Sequence, residues 1–295
     1  MIGQTDLLDK LHKLIDTDEF PQFSIFIGAK GSGKNTLMQE VAPLISSNVV
    51  TLPDVKIDTI REMIESANKK ASAGAKIVYI IRDSEQMSLP AKNSILKIVE
   101  EPPKGAYFMM SVVNEADLLD TIKNRAAIFR MRPYSLADKQ DYLDSCKTRL
   151  DDDTESFVLK TANTLYDIEM LLKSNPRELE SYANKLIDSF AKDSPARLLN
   201  YIKRIAFKTD ADGYEPLLFF KVCLVELGHR AYNSNQQRGL MYSMLMKRTM
   251  DAMSDFRYSS VSKEKTFDMW ILDCRKIVKK YGDKSSKEAN TRQRA

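Results

Sequence analysis

The sequence predicts an α/β protein in which a parallel-sheet domain is followed by two all-helical blocks. Three observations carry that prediction. Short apolar, β-branched runs alternate with segments of helical spacing as far as residue 132, the pattern of βαβ units on a mostly parallel sheet. A glycine-rich turn lies between the first of these strands and the helix after it. Beyond Pro133 no further strand pattern is visible and helical spacing continues alone. The predicted divisions are a sheet domain over 1–132, a small helical domain over 133–190, a second helical domain over 191–281, and a loose basic tail over 282–295.

In chain order, Leu7, Leu8, Leu11, Leu14 and Ile15 fall on one face of a helix over Asp6–Asp16. Phe23–Ile27 is aromatic and β-branched and stops at a glycine, as a short buried strand does. Lys34 opens a helix, and Asn48–Leu52 reads as a strand ended by Pro53. Asp58 is placed to cap a helix that runs to Ala71 and is broken at Gly74. Lys76–Asp83 is a strand with five apolar residues that ends in charge. Pro90–Glu101 is a helix stopped by Pro102 and Pro103, and Tyr107–Val113 is again a strand. A short helix over Leu118–Asn124 and a strand over Ala127–Met131 close the sheet domain. Helices are then predicted over Leu136–Leu150, Thr154–Leu165, Ile168–Leu172, Arg177–Phe190, Ala196–Phe207, Pro216–Tyr232, Gly239–Met253 and Ser262–Lys280. Trp270, with Phe267 and Ile271 at helical spacing, is assigned to a core rather than to base stacking.

The turn after the first strand reads Gly28-Ala-Lys-Gly-Ser-Gly-Lys-Asn-Thr. Its spacing, G-x-x-x-x-G-K between a strand and a helix, is that of a loop that cradles nucleotide phosphates. Glycines at Gly28, Gly31 and Gly33 free the backbone to turn N–H groups inward around an anion. Lys30, Ser32 and Thr36 belong to the same predicted cradle. Lys34 brings a point charge, and the helix that it opens aims its positive end at the same place. One position departs from the pattern: Asn35 stands where a Ser or Thr hydroxyl would hold Mg²⁺. Its carbonyl oxygen is a poorer metal ligand, and its amide donors are of no use to a cation. The plainer alternative is a glycine-rich turn that only starts a helix.

Composition narrows the function. At 295 residues, 43% hydrophobic and 29% charged, the chain has the make-up of a soluble globular protein with room for two or three domains. No apolar run approaches the length of a membrane span, and the first residues lack signal-peptide character. Cys146, Cys223 and Cys274 are far apart and odd in number, which predicts reduced thiols and a cytoplasmic location rather than a zinc module. The net charge of +4 is accounted for by the stretch from Lys276 to Ala295, where seven Lys/Arg face two acids. Contact with DNA elsewhere therefore has to come from local arrangement, such as Lys92 and Lys97 on one helix.

Four segments carry a family resemblance. Asn93-Ser-Ile-Leu-Lys-Ile-Val-Glu-Glu-Pro-Pro resembles the N-A-L-L-K-x-L-E-E-P-P stretch of bacterial clamp-loader AAA+ subunits. Val78-Tyr-Ile-Ile-Arg-Asp-Ser-Glu-Gln-Met-Ser resembles their second nucleotide motif, at the family's spacing. Thr121-Ile-Lys-Asn-Arg-Ala-Ala resembles their T-I-x-S-R-C segment, and Ser174-Asn-Pro-Arg-Glu-Leu resembles the second-sensor segment of their lid. The order holds over residues 1–190, and in pattern the chain is similar to the delta-prime type of DNA polymerase III subunit.

The resemblance implies a RecA-like AAA+ domain, a helical lid and a helical collar. It implies a part in a hetero-oligomer that loads a sliding clamp onto primer-template DNA, with ATP or ADP between a loop and a neighbour's arginine. Lys34 would grip phosphates, Arg177 would reach back from the lid, and Arg125 would be the arginine offered in trans. The departures matter as much. Arg82 stands at the metal-binding Asp, and Asp83 at the water-activating Glu, one methylene shorter. Val112 and Val113 cover the first-sensor position, and Asn124 and Ala126 flank the finger. Arg82 is either a salt-bridged surface residue or a substitute for the charge of Mg²⁺. Removing one such donor or ligand costs roughly 10²–10³ in rate, so several losses together imply a subunit without hydrolysis. Two alternatives stand beside that reading: a divergent ATPase that self-assembles and uses Asp83 as its base, and a scaffold that keeps the loop as a relic.

Overall fold

The computed structural model describes residues 2–72, 76–206, 216–258 and 261–282. The helix break predicted at Gly74, the helix end at Phe207 and the tail beyond Gly282 lie outside the described residues. The chain forms two compact units, Met1–Lys147 and Thr148–Ala295.

The first unit contains α1 (Thr5–Asp16), β1 (Phe23–Ile27), α2 (Lys34–Ile45), β2 (Val49–Thr51), α3 (Ile57–Ser72), β3 (Ile77–Ile81), α4 (Leu89–Glu100), β4 (Ala106–Val112), α5 (Asp120–Lys123), β5 (Ala127–Arg130) and α6 (Leu136–Ser145). All strand pairings are parallel, and the sheet order is β2-β3-β4-β1-β5. β1 and β3 are buried at every residue, so neither face of the sheet's centre meets water. Their side chains alternate between two cores. Phe23, Ile25 and Ile27 with Tyr79 and Phe108 pack on Ile60, Met63, Ile95 and Ile98 of α3 and α4. Phe26, Val78, Ile80 and Met109 pack on Leu11, Leu37, Met38 and Val41 of α1 and α2. The result is a three-layer α/β/α unit in which a continuous apolar run supplies both layers through its period of two.

Local chemistry sets the ends of the elements. Ser88 caps α4 by accepting from the Ala91 N–H, and Pro90 sits in its first turn. Ser135 and Asp138 form a reciprocal capping box that starts α6. Asp58 does not cap α3 as predicted, because α3 begins one residue earlier, at Ile57. Asp58 instead lies in its first turn, and Asp54 accepts from the Lys56 N–H and the Thr59 hydroxyl.

The second unit is helical throughout its described residues: α7 (Asp152–Thr161), α8 (Leu165–Lys173), α9 (Pro176–Lys192), α10 (Pro195–Ala206), α11 (Pro216–Tyr232), α12 (Gln236–Tyr258) and α13 (Lys263–Gly282). Its core is aromatic. Phe220 stacks on Phe267 at 4.3 Å and meets Trp270 edge-on at 4.8 Å. The Trp270 Nε1–H donates to Thr249 Oγ1, whose own proton goes to the Leu245 carbonyl, so the indole is buried with its donor satisfied. Asp167 and Lys221 form an ion pair at 2.5 Å with both side chains largely buried. The three cysteines are free thiols, and burial pushes the Cys223 and Cys274 thiols upward. No described helix is long and apolar enough to cross a membrane.

Candidate functional site

The carboxyl ends of β1, β3 and β4 meet at one edge of the first unit's sheet, where ligands bind in open parallel sheets. The loop over 28–33 leaves β1 there. The Gly28 N–H donates to Val112 O at 3.2 Å, so the loop starts hydrogen-bonded to the end of β4. Gly31 and Gly33 have φ of +81° and +86°, the left-handed region where a side chain is strained. Gly28 has no positive φ, contrary to the expectation that all three glycines supply unusual backbone angles. Its requirement is space. A Cβ there would come within 2.7 Å of Ser32 Oγ and 2.8 Å of Met131 Cβ.

Lys34 begins α2 with its side chain almost wholly buried. Its ammonium donates to Gly28 O at 2.6 Å and Ala29 O at 3.0 Å, turning back onto its own loop. Burial holds its pKa below that of an ordinary lysine, against the pull of Glu85 and then Asp83. Both carboxylates follow β3, so the loop faces the tip of the strand that bears Tyr79. Asn35 lies in the first turn of α2, with its Oδ1 accepting from the Ser111 hydroxyl at 3.0 Å. Ser111 Oγ in turn accepts from the Asp83 N–H at 3.1 Å. This chain, Asp83–Ser111–Asn35, ties β3, β4 and α2 together across the site.

Of the remaining cradle residues, Ser32 is buried and its hydroxyl has no partner. Tyr134 donates to the Ser32 carbonyl at 3.0 Å and fixes the far side of the loop. Burial and then Asp138 raise the Tyr134 phenol above its ordinary pKa, which keeps it a donor. Lys30 and Thr36 are exposed at the rim. The backbone N–H groups around two left-handed glycines, the helix start at Lys34 and the unpartnered Ser32 hydroxyl suit a phosphate group. The metal end differs, because the Asn35 oxygen is already an acceptor for Ser111.

Asp83 is exposed, with φ +51°, a left-handed conformation that Asp tolerates. Arg82 lines a cavity of about 570 Å³ with Pro53, Asp54, Lys56, Asp58 and Asp83, and forms no ion pair among the described residues. Arg125 lies on the surface just after α5. Its guanidinium is 3.2 Å from Glu100 and donates to Thr121 O at 3.1 Å, with 44% of the side chain exposed. Lys92 does not project freely along α4, because it donates to Asp117 O at 2.6 Å. In the second unit, Arg177 lies in the first turn of α9, held by Asp151 at 2.6 Å and Glu180 at 3.2 Å.

Three site residues escaped the sequence reading. Val112 is fully buried, and the polar group reaching Asn35 comes from Ser111 one residue earlier. Its signal was available as the one serine in an apolar strand, Ala106-Tyr-Phe-Met-Met-Ser-Val. Glu85 lies nearer in effect to Lys34 than Asp83 does. Its Oε2 is buried without a partner, and burial raises its pKa. Tyr134 lies 102 residues from the loop it binds, and nothing local in the sequence marks it.

The chain is similar in sequence and fold to known DNA-replication proteins. Residues 46–135 match the family model described as DNA polymerase III, delta subunit. DNA polymerase III subunit gamma of Buchnera aphidicola is 22% identical over 163 residues, covering 46% of this chain and 44% of that protein. DNA polymerase III subunit delta' of Haemophilus influenzae is 32% identical over 79 residues, covering 26% of this chain and 24% of that protein. Replication factor C small subunit of Methanosphaera stadtmanae is 27% identical over 146 residues, covering 46% of this chain and 45% of that protein. The chain thus spans less than half the length of these curated relatives. In fold it is similar to a DNA polymerase III gamma subunit-related protein from Thermotoga maritima, with a TM-score of 0.55 at 16% identity, over 91% of this chain and 99% of that one.

Proposed function

We propose that this chain, similar in sequence and AAA+ fold to DNA polymerase III clamp-loader subunits, is a non-hydrolysing subunit of delta-prime type. On this reading it works in the cytoplasm within a hetero-oligomer that places a sliding clamp on primer-template DNA. The helical residues divide into a lid over 133–190 and a collar over 191–281. The observation that carries the non-hydrolysing reading is the engagement of Asn35 by Ser111. One lone pair of the oxygen that would have to hold a cation is taken by the Ser111 hydroxyl, and Arg82 stands at the position that the resemblance gives to the metal-binding carboxylate. Lys34, the left-handed glycines and the Ser32 hydroxyl remain fit to bind the phosphates of ATP or ADP. Arg177 acts from the lid in the same binding event, released from Asp151 and Glu180.

Arg125 is the group offered to a neighbouring ATPase. Its support is exposure: a guanidinium at the end of a short helix, tethered among the described residues by a surface carboxylate and one carbonyl, extends to a partner at little cost. Turnover of ATP by the purified chain tests the reading. The expected result is no activity above background; turnover of order 1 s⁻¹ that disappears on Lys34→Ala would mean a self-sufficient ATPase using Asp83. Mixing with a clamp-loader ATPase then tests the finger. Arg125→Ala is expected to lower the partner's turnover by about 10³-fold or more, and an unchanged partner removes the assignment.

A further inference from the structure

The hairpin of α9 and α10 in the second unit carries a cationic groove outside everything described so far. The two helices are joined by only Asp193 and Ser194. Arg197, Tyr201 and Arg204 stand at i, i+4 and i+7 of α10 and therefore share one face. Lys185 joins them from α9, and with Asp193 and Asn200 they line a cavity of about 260 Å³. Pockets that enclose a small molecule measure roughly 300–1,000 Å³, so this groove suits one group on a longer ligand.

Its charge is three cations against one carboxylate. Asp193 is 3.8 Å from the Arg197 guanidinium, whose side chain is 80% exposed. Lys185 and Arg204 have no ion-pair partner among the described residues. The Lys185 ammonium lies 5.5 Å from the centre of the Tyr201 ring instead. The Tyr201 phenol donates to Tyr182 O, and burial pushes its pKa up to about 12, so it adds no negative charge. The N-terminus of α10 opens beside Arg197 and adds its positive end. From Arg197 to Arg204 the helix rises about 10 Å, enough for the two guanidinium groups to meet different phosphates of one strand.

We propose that this groove binds the phosphodiester backbone of a nucleic acid, with Arg197 and Arg204 on phosphate oxygens and Lys185 beside them. Guanidinium groups match phosphate oxygens in pairs, which suits two arginines on one helix face to a phosphodiester backbone. The inference is independent of the phosphate loop in the first unit.

The test is the affinity of the full chain for a labelled single-stranded oligonucleotide between about 50 and 200 mM salt. The comparison is with the triple variant Lys185→Gln, Arg197→Gln and Arg204→Gln. Three lost phosphate contacts are expected to reduce the slope of log affinity against log salt by about 2, and the affinity about ten-fold at the lower salt. The same difference is expected in a Lys34→Ala background, which separates this groove from the loop. Asp193→Asn is expected to tighten binding, and it decides the matter should the triple variant unfold. An unchanged slope overturns the proposal. So does a triple variant that loses inorganic pyrophosphate while keeping the oligonucleotide, because the ligand would then be a free polyphosphate.

Discussion

Glu85 is a carboxyl group beside the phosphate loop whose burial outweighs the attraction of Lys34, so its pKa stands above the ordinary 4.5. The folded chain therefore holds that proton more tightly than the unfolded chain does. The resulting stability is complete below about pH 4 and is lost as pH rises through the raised value. Glu85→Gln is accordingly expected to be more stable than the parent at about pH 8, by on the order of 1 kcal/mol, and equal to it at about pH 4. Urea midpoints at the two pH values check this, and the opposite order would show that the lysine's attraction dominates. Gly28→Ala is expected to cost about 1–3 kcal/mol through overpacking on Ser32 and Met131, read as a lower melting temperature without loss of the fold. At this scale the sequence was informative where chemistry is tied to spacing. The glycines, Lys34 and Asn35 lie within one short stretch, and their placement follows from the strand before and the helix after. Ser111, Glu85 and Tyr134 reach the site through the sheet order and two long-range hydrogen bonds, and of the three only Ser111, a serine in an apolar strand, leaves a local mark in the sequence.

At the scale of elements, each predicted strand and helix with described residues is present, because each combines a clear period with a stop signal. The apolar runs of β1 and β3 are too short for core helices and are bounded by glycine or charge. The ends shifted wherever a cap was misread. The segment predicted to run to Leu150 stops at Ser145, and the next helix starts at Asp152 because Asp151 accepts from the Thr154 N–H. The hydrogen bonds from Thr154 and then Arg177 hold the Asp151 carboxyl far below the usual carboxylate range. That contribution is present above its ordinary pKa and is lost only in strong acid. The ion pair that joins α8 to α11 behaves differently, because its ends are removed from water. Lys221→Met leaves the Asp167 charge buried, with the Asn163 and Thr164 N–H groups as its remaining partners. A loss of roughly 3 kcal/mol is expected in chemical denaturation, which a surface pair would not approach.

At the scale of the molecule, each unit has its own core, and the first unit's two apolar layers close around one sheet. A fragment ending at Lys147 is therefore expected to fold alone, with a cooperative thermal transition and a mixed α/β circular dichroism spectrum. A gradual, featureless melt would show that the first unit depends on the second. The sheet domain was legible from its alternation. The contact boundary at Lys147 was not, because α6 has the same helical pattern whichever unit claims it. Within the first unit, the way Lys34 satisfies itself on Gly28 and Ala29 has a larger meaning. A loop braced on its own carbonyls has its curvature set by the backbone and one lysine, so side-chain changes at its rim leave that curvature standing.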